Sequence, residues 1–189
     1  MCRRNISMNN CNYLEIIDKI YGKEDSELKR ILLVHSCAVT KKALHIVDSH
    51  PELMLDRVFV EEAAMLHDIG IINTNAPGIC CRGTEPYIRH GIIGAEMLRK
   101  ENLNRHARVC ERHTGAGLTK KEITTQQLPL PHQDFLPETL EEQVICYADK
   151  FFSKTKLERE KTIEQAEHSL AKFGEEGVER FRQWHQLFG

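Results

Sequence analysis

No run of apolar residues in this 189-residue chain approaches the roughly 18 needed to cross a bilayer, so a membrane-spanning helix is not expected. Positive charge is not in excess either. A formal net charge of −2 and a pI near 6.6 create no global field for phosphate backbones, so a nucleic-acid duplex is not an expected partner. The seven cysteines (Cys2, Cys11, Cys37, Cys80, Cys81, Cys110 and Cys146) contain no C-x-x-C pair, and their odd number leaves one over. No apolar leader opens the chain, because Met1-Cys2-Arg3-Arg4-Asn5 runs directly into polar residues. The expectation is free thiols in a reducing cytoplasm. The adjacent Cys80-Cys81 pair could be redox-active, although a glycine-rich loop also tolerates small residues for no chemical reason. Finally, no alternation of apolar and polar residues is long enough for a useful strand, and the fold expected is all-α.

What the chain does contain is an ordinary globular balance, 41% hydrophobic and 29% charged, with length enough for one well-buried core. Ten histidines is a high count and raises the prior for metal chemistry. Residues 1–11 are expected to fray, and a first helix is expected over Tyr13 to Tyr21, stopped by Gly22. A second follows the short polar caps Asp25/Ser26 and carries Leu28, Ile31, Leu32, His35, Val39, Ala43 and Ile46 at a period near 3.6. The third, from Leu55 or Arg57 to Asp68, turns Val60, Ala63/Ala64 and His67 to one face and Glu61 and Glu62 to solvent. Gly70 is placed to adopt the left-handed conformation after it.

Ile71 to Tyr87 reads as a loop of a length that is usually functional. The helix after it, Ile88 to Arg99, holds His90 beside Gly91 and Gly94, two residues that are costly in a helix unless another backbone or a ligand comes close. Arg105 to His113 is a short helix ended by Thr114-Gly115-Ala116-Gly117, with His106 read as surface or supporting. Prolines at 129, 131 and 137 break the connection from Thr119 to Pro137, where Lys120 to Gln127 could form one short helix. Thr139 and Glu142 then fit a capping box ahead of Leu140–Phe152, a strongly apolar helix with Asp149 in its middle. In the tail, one helix carries Ile163, Ala166, Leu170 and Phe173 and another carries Val178, Phe181, Trp184 and Phe188, punctuated by Gly174 and Gly177. Both are expected to cover the core without chemistry of their own. The Trp184/Phe188 stripe could serve a homodimer as readily as a core.

The organising stretch is Ala63-Ala64-Met65-Leu66-His67-Asp68-Ile69-Gly70, where a polar pair closes an apolar helix. Such a pair is costly to bury unless partnered or bound to a cation. His35, His67, Asp68, His90, His113 and Asp149 all lie near helix ends or on apolar faces. Four imidazoles and two carboxylates suit Mn²⁺, Fe²⁺, Zn²⁺, Co²⁺ or Ni²⁺, with Mg²⁺ and Ca²⁺ poorer matches. His35, His67, Asp68 and Asp149 suffice for one ion, and His90 with His113 could hold a second if Asp68 bridges.

In order and type, His35, then His67-Asp68, then Asp149 resembles the H…HD…D signature of the HD-domain metal-dependent phosphohydrolases. His67-Asp68-Ile69-Gly70 matches the HDIG variant letter for letter, and Tyr147-Ala148-Asp149-Lys150 is similar to the fourth element. His90 and His113 resemble the two extra histidines of dinuclear members. The resemblance implies a helical core of about five helices over roughly residues 26–157, an extension over about 158–189, and a single domain. It also implies metal-activated water attacking a phosphate ester or anhydride, with Asp68 bridging, His35, His67 and Asp149 completing one site, and His90 and His113 the other. Lys150 and Arg112 are candidate phosphate contacts, with Arg82 and Arg89 weaker ones.

The chain lacks the Gly-Tyr-Pro motif of cyclic-di-GMP phosphodiesterases, a paired His-His element, and the extra domains of guanosine tetraphosphate hydrolases. It is most similar to small stand-alone HD proteins, some of which hydrolyse dinucleoside tetraphosphates. The expected substrate is thus a small phosphorylated molecule, a nucleotide or dinucleotide. The alternatives are a catalytically silent metal- and nucleotide-binding regulatory module, and a structural protein, which would leave His67-Asp68 and Asp149 unexplained.

Overall fold

The computed structural model describes residues 12–157 and 159–189; the expectation for residues 1–11 lies outside them. Helix α1 (Tyr13–Tyr21) is capped by the Asn12 side chain, which accepts from the Glu15 N–H at 3.3 Å. Helix α2 (Glu27–Ser49) starts at Ser26, whose hydroxyl accepts from the Lys29 N–H at 3.2 Å. Then come α3 (Arg57–Leu66), α4 (His90–Lys100), α5 (Asn104–Arg112), α6 (Lys120–Thr125) and α7 (Leu140–Asp149). The tail forms α8 (Ile163–Leu170) and α9 (Glu175–Phe188). Among the described residues no helix is long and apolar enough to cross a membrane.

Two apolar cores flank α2. Val39, Ala43 and Ile46 pack with α3, α7, α8 and α9, while Ile31 and Leu32 pack with α1, the end of α3, α4 and α5. His35 falls on the same stripe between these sets, so its ring is buried where the cores meet. Trp184 and Phe188 are buried in the first core.

Three local expectations are corrected. Gly70 is not left-handed: the left-handed glycines are Gly22, Gly115, Gly117 and Gly174. It lies in the 3-10 turn Ile69–Asn73, where a Cβ would stand 2.2 Å from the His90 carbonyl oxygen and 2.4 Å from the Gly94 nitrogen. Glycine is there to let two backbones touch. At Gly91 a Cβ would meet the Cys110 carbonyl oxygen at 2.5 Å, so the α4–α5 contact is equally close. These two positions draw the HD pair, His90 and His113 toward one point.

The second correction concerns Glu62, which is buried with its carboxylate 3.1 Å from His106 Nε2 rather than facing solvent. The third concerns Glu142. Thr139 caps α7 as expected, but the Glu142 carboxylate accepts from the Glu138 N–H at 2.7 Å and from Arg108 at 2.8 Å, so no reciprocal box forms.

Two smaller differences also appear. Residues read as a bare loop form a three-stranded miniature sheet of β1 (Thr74–Ala76), β2 (Cys81–Arg82) and β3 (Glu85–Pro86). Its order is β2-β1-β3, with β1 antiparallel to β2 and parallel to β3. Strands of two or three residues carry too little alternation to be read from sequence. Gly177 lies within α9 instead of ending a helix.

Candidate metal centre

Every residue of the centre sits where the chain leaves or crosses a helix. His67 and Asp68 follow the last turn of α3, His90 opens α4, His113 follows α5, Asp149 ends α7 and His35 lies mid-α2. All six are buried, and they form two overlapping groups, His35–His67–Asp68–Asp149 and Asp68–His90–His113. Within each group one ligand atom per residue lies within 4.8 Å of the others.

Asp68 divides its oxygens between the groups. Oδ2 is 3.0 Å from Nε2 of both His35 and His67. Oδ1 is 3.4 Å from Nε2 of both His90 and His113. Asp149 Oδ1 is 3.0 Å from His35 Nε2 and 3.5 Å from His67 Nε2, while its Oδ2 is held by Lys150 Nζ at 2.7 Å.

Three imidazoles are oriented by one device. The Nδ1–H of His67 donates to the Ala64 carbonyl at 2.6 Å, that of His90 to Tyr87 at 2.7 Å and that of His113 to Cys110 at 2.7 Å. A carbonyl can only accept, so each Nδ1 carries the proton and each Nε2 is left to face the cluster. The Nε2 atoms of His90 and His113 then stand 3.0 Å apart.

The distances are those of hydrogen bonds, but the directions are not. Both ring nitrogens of His35, Nε2 of His67 and both oxygens of Asp68 have no well-directed hydrogen-bond partner, although the Lys154 ammonium forms an ion pair with Asp68 Oδ2. Buried polar atoms left this way each cost about 1–3 kcal/mol, and more when charged. A cation accepting the lone pairs of Asp68 and of Nε2 of His35 and His67 removes that part of the cost, and the mixed nitrogen and oxygen donors fit a first-row transition ion.

Electrostatics pulls the cluster in opposite directions. Burial alone would raise the Asp68 carboxyl, but His67 and Lys154 hold it well below the usual range. For Asp149 burial is likewise overcome, by Lys150, His35 and His67. Burial disfavours the charged form of His67, yet Asp68 and Asp149 raise it to about 9. His90 is pushed down to about 3 by burial and then by His113 and Lys154. Burial lowers His113 as well.

A cavity of about 460 Å³ opens beside the centre, lined by Asp149, Lys150 and Lys154 and, among its apolar residues, by Ile79, Phe152 and Phe173. Tyr87 also lines it and stacks on the His90 ring, centroids 4.7 Å apart.

The residues singled out from sequence thus separate. Lys150 reaches the centre, but its ammonium is bound to Asp149 and, at 2.9 Å, to the His113 carbonyl. Arg112 turns away, donating to the Leu136 carbonyl at 2.7 Å and pairing with Glu138 at 2.5 Å. Arg89 pairs with Glu85 and the Pro129 carbonyl, and Arg82 is exposed on β2. His106 is buried against Glu62 and Phe59, not at the surface.

Lys154 was not singled out by sequence, yet its Nζ lies 2.5 Å from Asp68 Oδ2. Burial disfavours its charge, and Asp68, Tyr87 and Asp149 hold its pKa above the usual lysine value. From its sequence the tail has only a covering role, but Ser169, Leu170, Lys172 and Phe173 line the cavity. One lysine among several after α7 carries no sequence signal.

Comparison with known proteins adds three findings. The family model for the HD domain matches residues 32–153, which contain all six clustered residues. The chain is 35% identical over 142 residues to an uncharacterized protein of Methanocaldococcus jannaschii, covering 73% of this chain and 76% of that protein. It is also similar to tRNA (cytidine(56)-2'-O)-methyltransferases. The likeness is 39% over 128 residues for Picrophilus torridus, covering 67% of this chain, and 34% over 123 residues for Thermoplasma volcanium, covering 60%. The chain spans only 33% and 32% of those two relatives. Among solved structures, the HD domain of the L. monocytogenes phosphodiesterase PgpH superposes with a TM-score of 0.52 at 16% identity, covering 89% of this chain and 93% of that one. At that identity the likeness is one of fold.

Proposed function

The chain belongs to the HD domain family, and from that premise we propose that it is a metal-dependent phosphohydrolase acting on a phosphate ester or anhydride of a nucleotide. The observation that carries this reading is the division of Asp68, one oxygen facing His35 and His67 and the other facing His90 and His113. His35, His67, Asp68 and Asp149 would hold one divalent transition ion, and Asp68, His90 and His113 a second. When bound, such ions supply Lewis acidity for a phosphoryl oxygen and lower the pKa of a coordinated water from about 15.7 toward 7.

The chain's own residues do the remaining work. Lys150 fixes the Asp149 carboxylate and the His113 carbonyl together, which ties α7 to the end of α5. Lys154 places an ammonium at the edge of the centre and in the cavity, where it can meet phosphoryl oxygens. Phe152, Phe173 and Ile79 give the cavity a wall suited to a base or another flat apolar group. Arg112 is spent on Glu138 and Leu136, so a phosphate contact from it would require breaking those bonds. Unpaired Cys81, Cys110 and Cys146 in the interior suit a reducing compartment.

The named methyltransferases do not redirect this reading. The matched part is about a third of each, and transfer to a ribose hydroxyl would leave four buried imidazoles around two carboxylates without a role. The test is phosphate release from a panel of nucleotides with Mn²⁺, Fe²⁺ and Co²⁺, together with metal analysis of the purified protein. Turnover that disappears in Asp68→Ala supports the proposal. Metal and nucleotide binding without any turnover would mark a silent regulatory module instead.

A further inference from the structure

Four lysines line the cavity beside the metal centre: Lys150, Lys154, Lys161 and Lys172. Two of them are answered by carboxylates, Lys150 by Asp149 at 2.7 Å and Lys154 by Asp68 at 2.5 Å. The other two have no carboxylate partner among the described residues. Lys161 is half-buried and uses one donor on the Lys150 carbonyl at 3.2 Å, while its own N–H is tied to the Phe151 carbonyl at 2.8 Å. Its ammonium is thereby held near the cavity instead of extending into water. Lys172 follows α8 with its Nζ 4.8 Å from the Phe173 ring centroid.

Like charges repel, and lysines free to reach solvent spread apart. Here the chain keeps three of them, Lys150, Lys154 and Lys161, half-buried around one cavity, with the exposed Lys172 beside them. Burial lowers the Lys161 ammonium's pKa, and although Asp149 opposes this, Lys150, Lys172 and Lys154 all push the same way. Asp149, a residue of the metal centre, is the one carboxylate among the described residues that line the cavity. Lys161 and Lys172 thus add to the lining two cations that no carboxylate answers among the described residues, together with the apolar Phe152 and Phe173.

We propose that Lys161 and Lys172 form a second phosphate subsite, so that the substrate carries two phosphates, one at the metal centre and one held by the segment between α7 and α9. This deepens and rests on the phosphohydrolase reading. It assigns a recognition role to tail residues that otherwise only cover the core. It also makes a second phosphate, more than the base, the feature that distinguishes substrates.

The test compares binding of two non-hydrolysable probes, methylphosphonate and methylenediphosphonate, to the full chain as purified, by calorimetry. The wild type should bind the diphosphonate more tightly. Lys161→Gln/Lys172→Gln should weaken it about tenfold or more, the range lost with charged hydrogen bonds, while methylphosphonate changes by less than about twofold, as expected for charges remote from it. Lys161→Arg/Lys172→Arg keeps the charge and should retain the affinity. Lys23→Gln/Lys41→Gln removes the same net charge elsewhere and should change neither probe.

Equal loss for both probes, an equal loss in the Lys23/Lys41 control, or a wild type that does not discriminate overturns the subsite. Should the glutamine variant unfold at a lower temperature, the arginine variant decides: lost diphosphonate affinity in a folded arginine variant also overturns it. A wild type that discriminates as stated but releases phosphate from no nucleotide retires the hydrolase reading and leaves the subsite standing. Turnover with no discrimination does the reverse.

Discussion

Gly70→Ala puts the assembly of the centre under direct strain. The added Cβ would lie 2.2 Å from the His90 carbonyl oxygen, 2.4 Å from the Gly94 nitrogen and 2.9 Å from the Gly94 Cα. All three are backbone atoms, so no rotamer relieves the clash, and the two segments must part by about 1.2 Å to reach ordinary contact. Overpacking of this kind costs about 1–3 kcal/mol, and the rigidity of both partners puts this case at the upper end. For a chain of this size about 3 kcal/mol lowers the melting midpoint by roughly 6–12 °C. The strain falls on the start of α4, so His90 moves away from Asp68, and the second metal group should be lost before the first. Thermal unfolding and metal stoichiometry, measured on the same preparation, check both parts. Gly78→Ala is the internal control, because nothing lies within 4 Å of its Cβ position; it should be neutral or slightly stabilising. A Gly70→Ala protein that melts within about 1 °C of wild type and keeps its metal content would refute the close-approach argument.

Other substitutions and conditions separate the parts of the centre. Asp68→Asn preserves shape but removes the charge that both groups share, so bound metal should fall and turnover drop to background, measured by metal analysis and phosphate release. Lys154→Met removes the cation beside Asp68 Oδ2. Chelator-treated protein should then be less stable by about 1–3 kcal/mol, while its affinity for added Mn²⁺ rises because no ammonium competes. Chelator-treated protein should also be most stable near pH 6.5. His67, raised from 6.5 to about 9, contributes stability fully present below 6.5 and lost as pH climbs through 9. His90, lowered from 6.5 to about 3, is neutral when folded, so its contribution is lost as pH falls from 6.5 toward 3. Denaturant midpoints taken across that range should trace a dome, and a monotonic profile would refute the pairing of opposed histidines.

The helices were legible because their signals are local. Tyr13–Tyr21 ends at Gly22, Ser26 caps α2 and Thr139 caps α7, each through residues within one turn. The six clustered residues were legible for a different reason, since a polar group on an apolar helix face stands out against its neighbours. What stayed hidden depends on distant parts of the chain. The sequence puts Glu62 beside Glu61 on the solvent face of α3, and only His106, 44 positions later, shows why Glu62 is buried. Glycine after a helix usually stops it, whereas the partner of Gly70 is the backbone of α4. Lys154 and Lys172 are ordinary lysines in sequence. Their meaning arises from which charges they face across the cavity.

One regularity in the centre follows from helix chemistry. The last carbonyls of a helix have no intrahelical donor, and a histidine just past the end can give its Nδ1–H to one of them. His67 does so with Ala64 at the end of α3, and His113 with Cys110 at the end of α5. His90 makes the same bond to Tyr87, the start of the 3-10 turn that leads into α4. Each bond spans three residues, fixes the tautomer and aims Nε2 at the cluster, so ring orientation is set before any ion arrives. His35 lies in the middle of α2, where the carbonyls one turn back already accept helical N–H groups, and its Nδ1 has no partner. Three ligands are therefore oriented by the folding of their own helix ends. The fourth is held only by packing between the two cores and by the carboxylates in front of it. His35 is the ligand whose orientation is most sensitive to changes at Asp68 and Asp149.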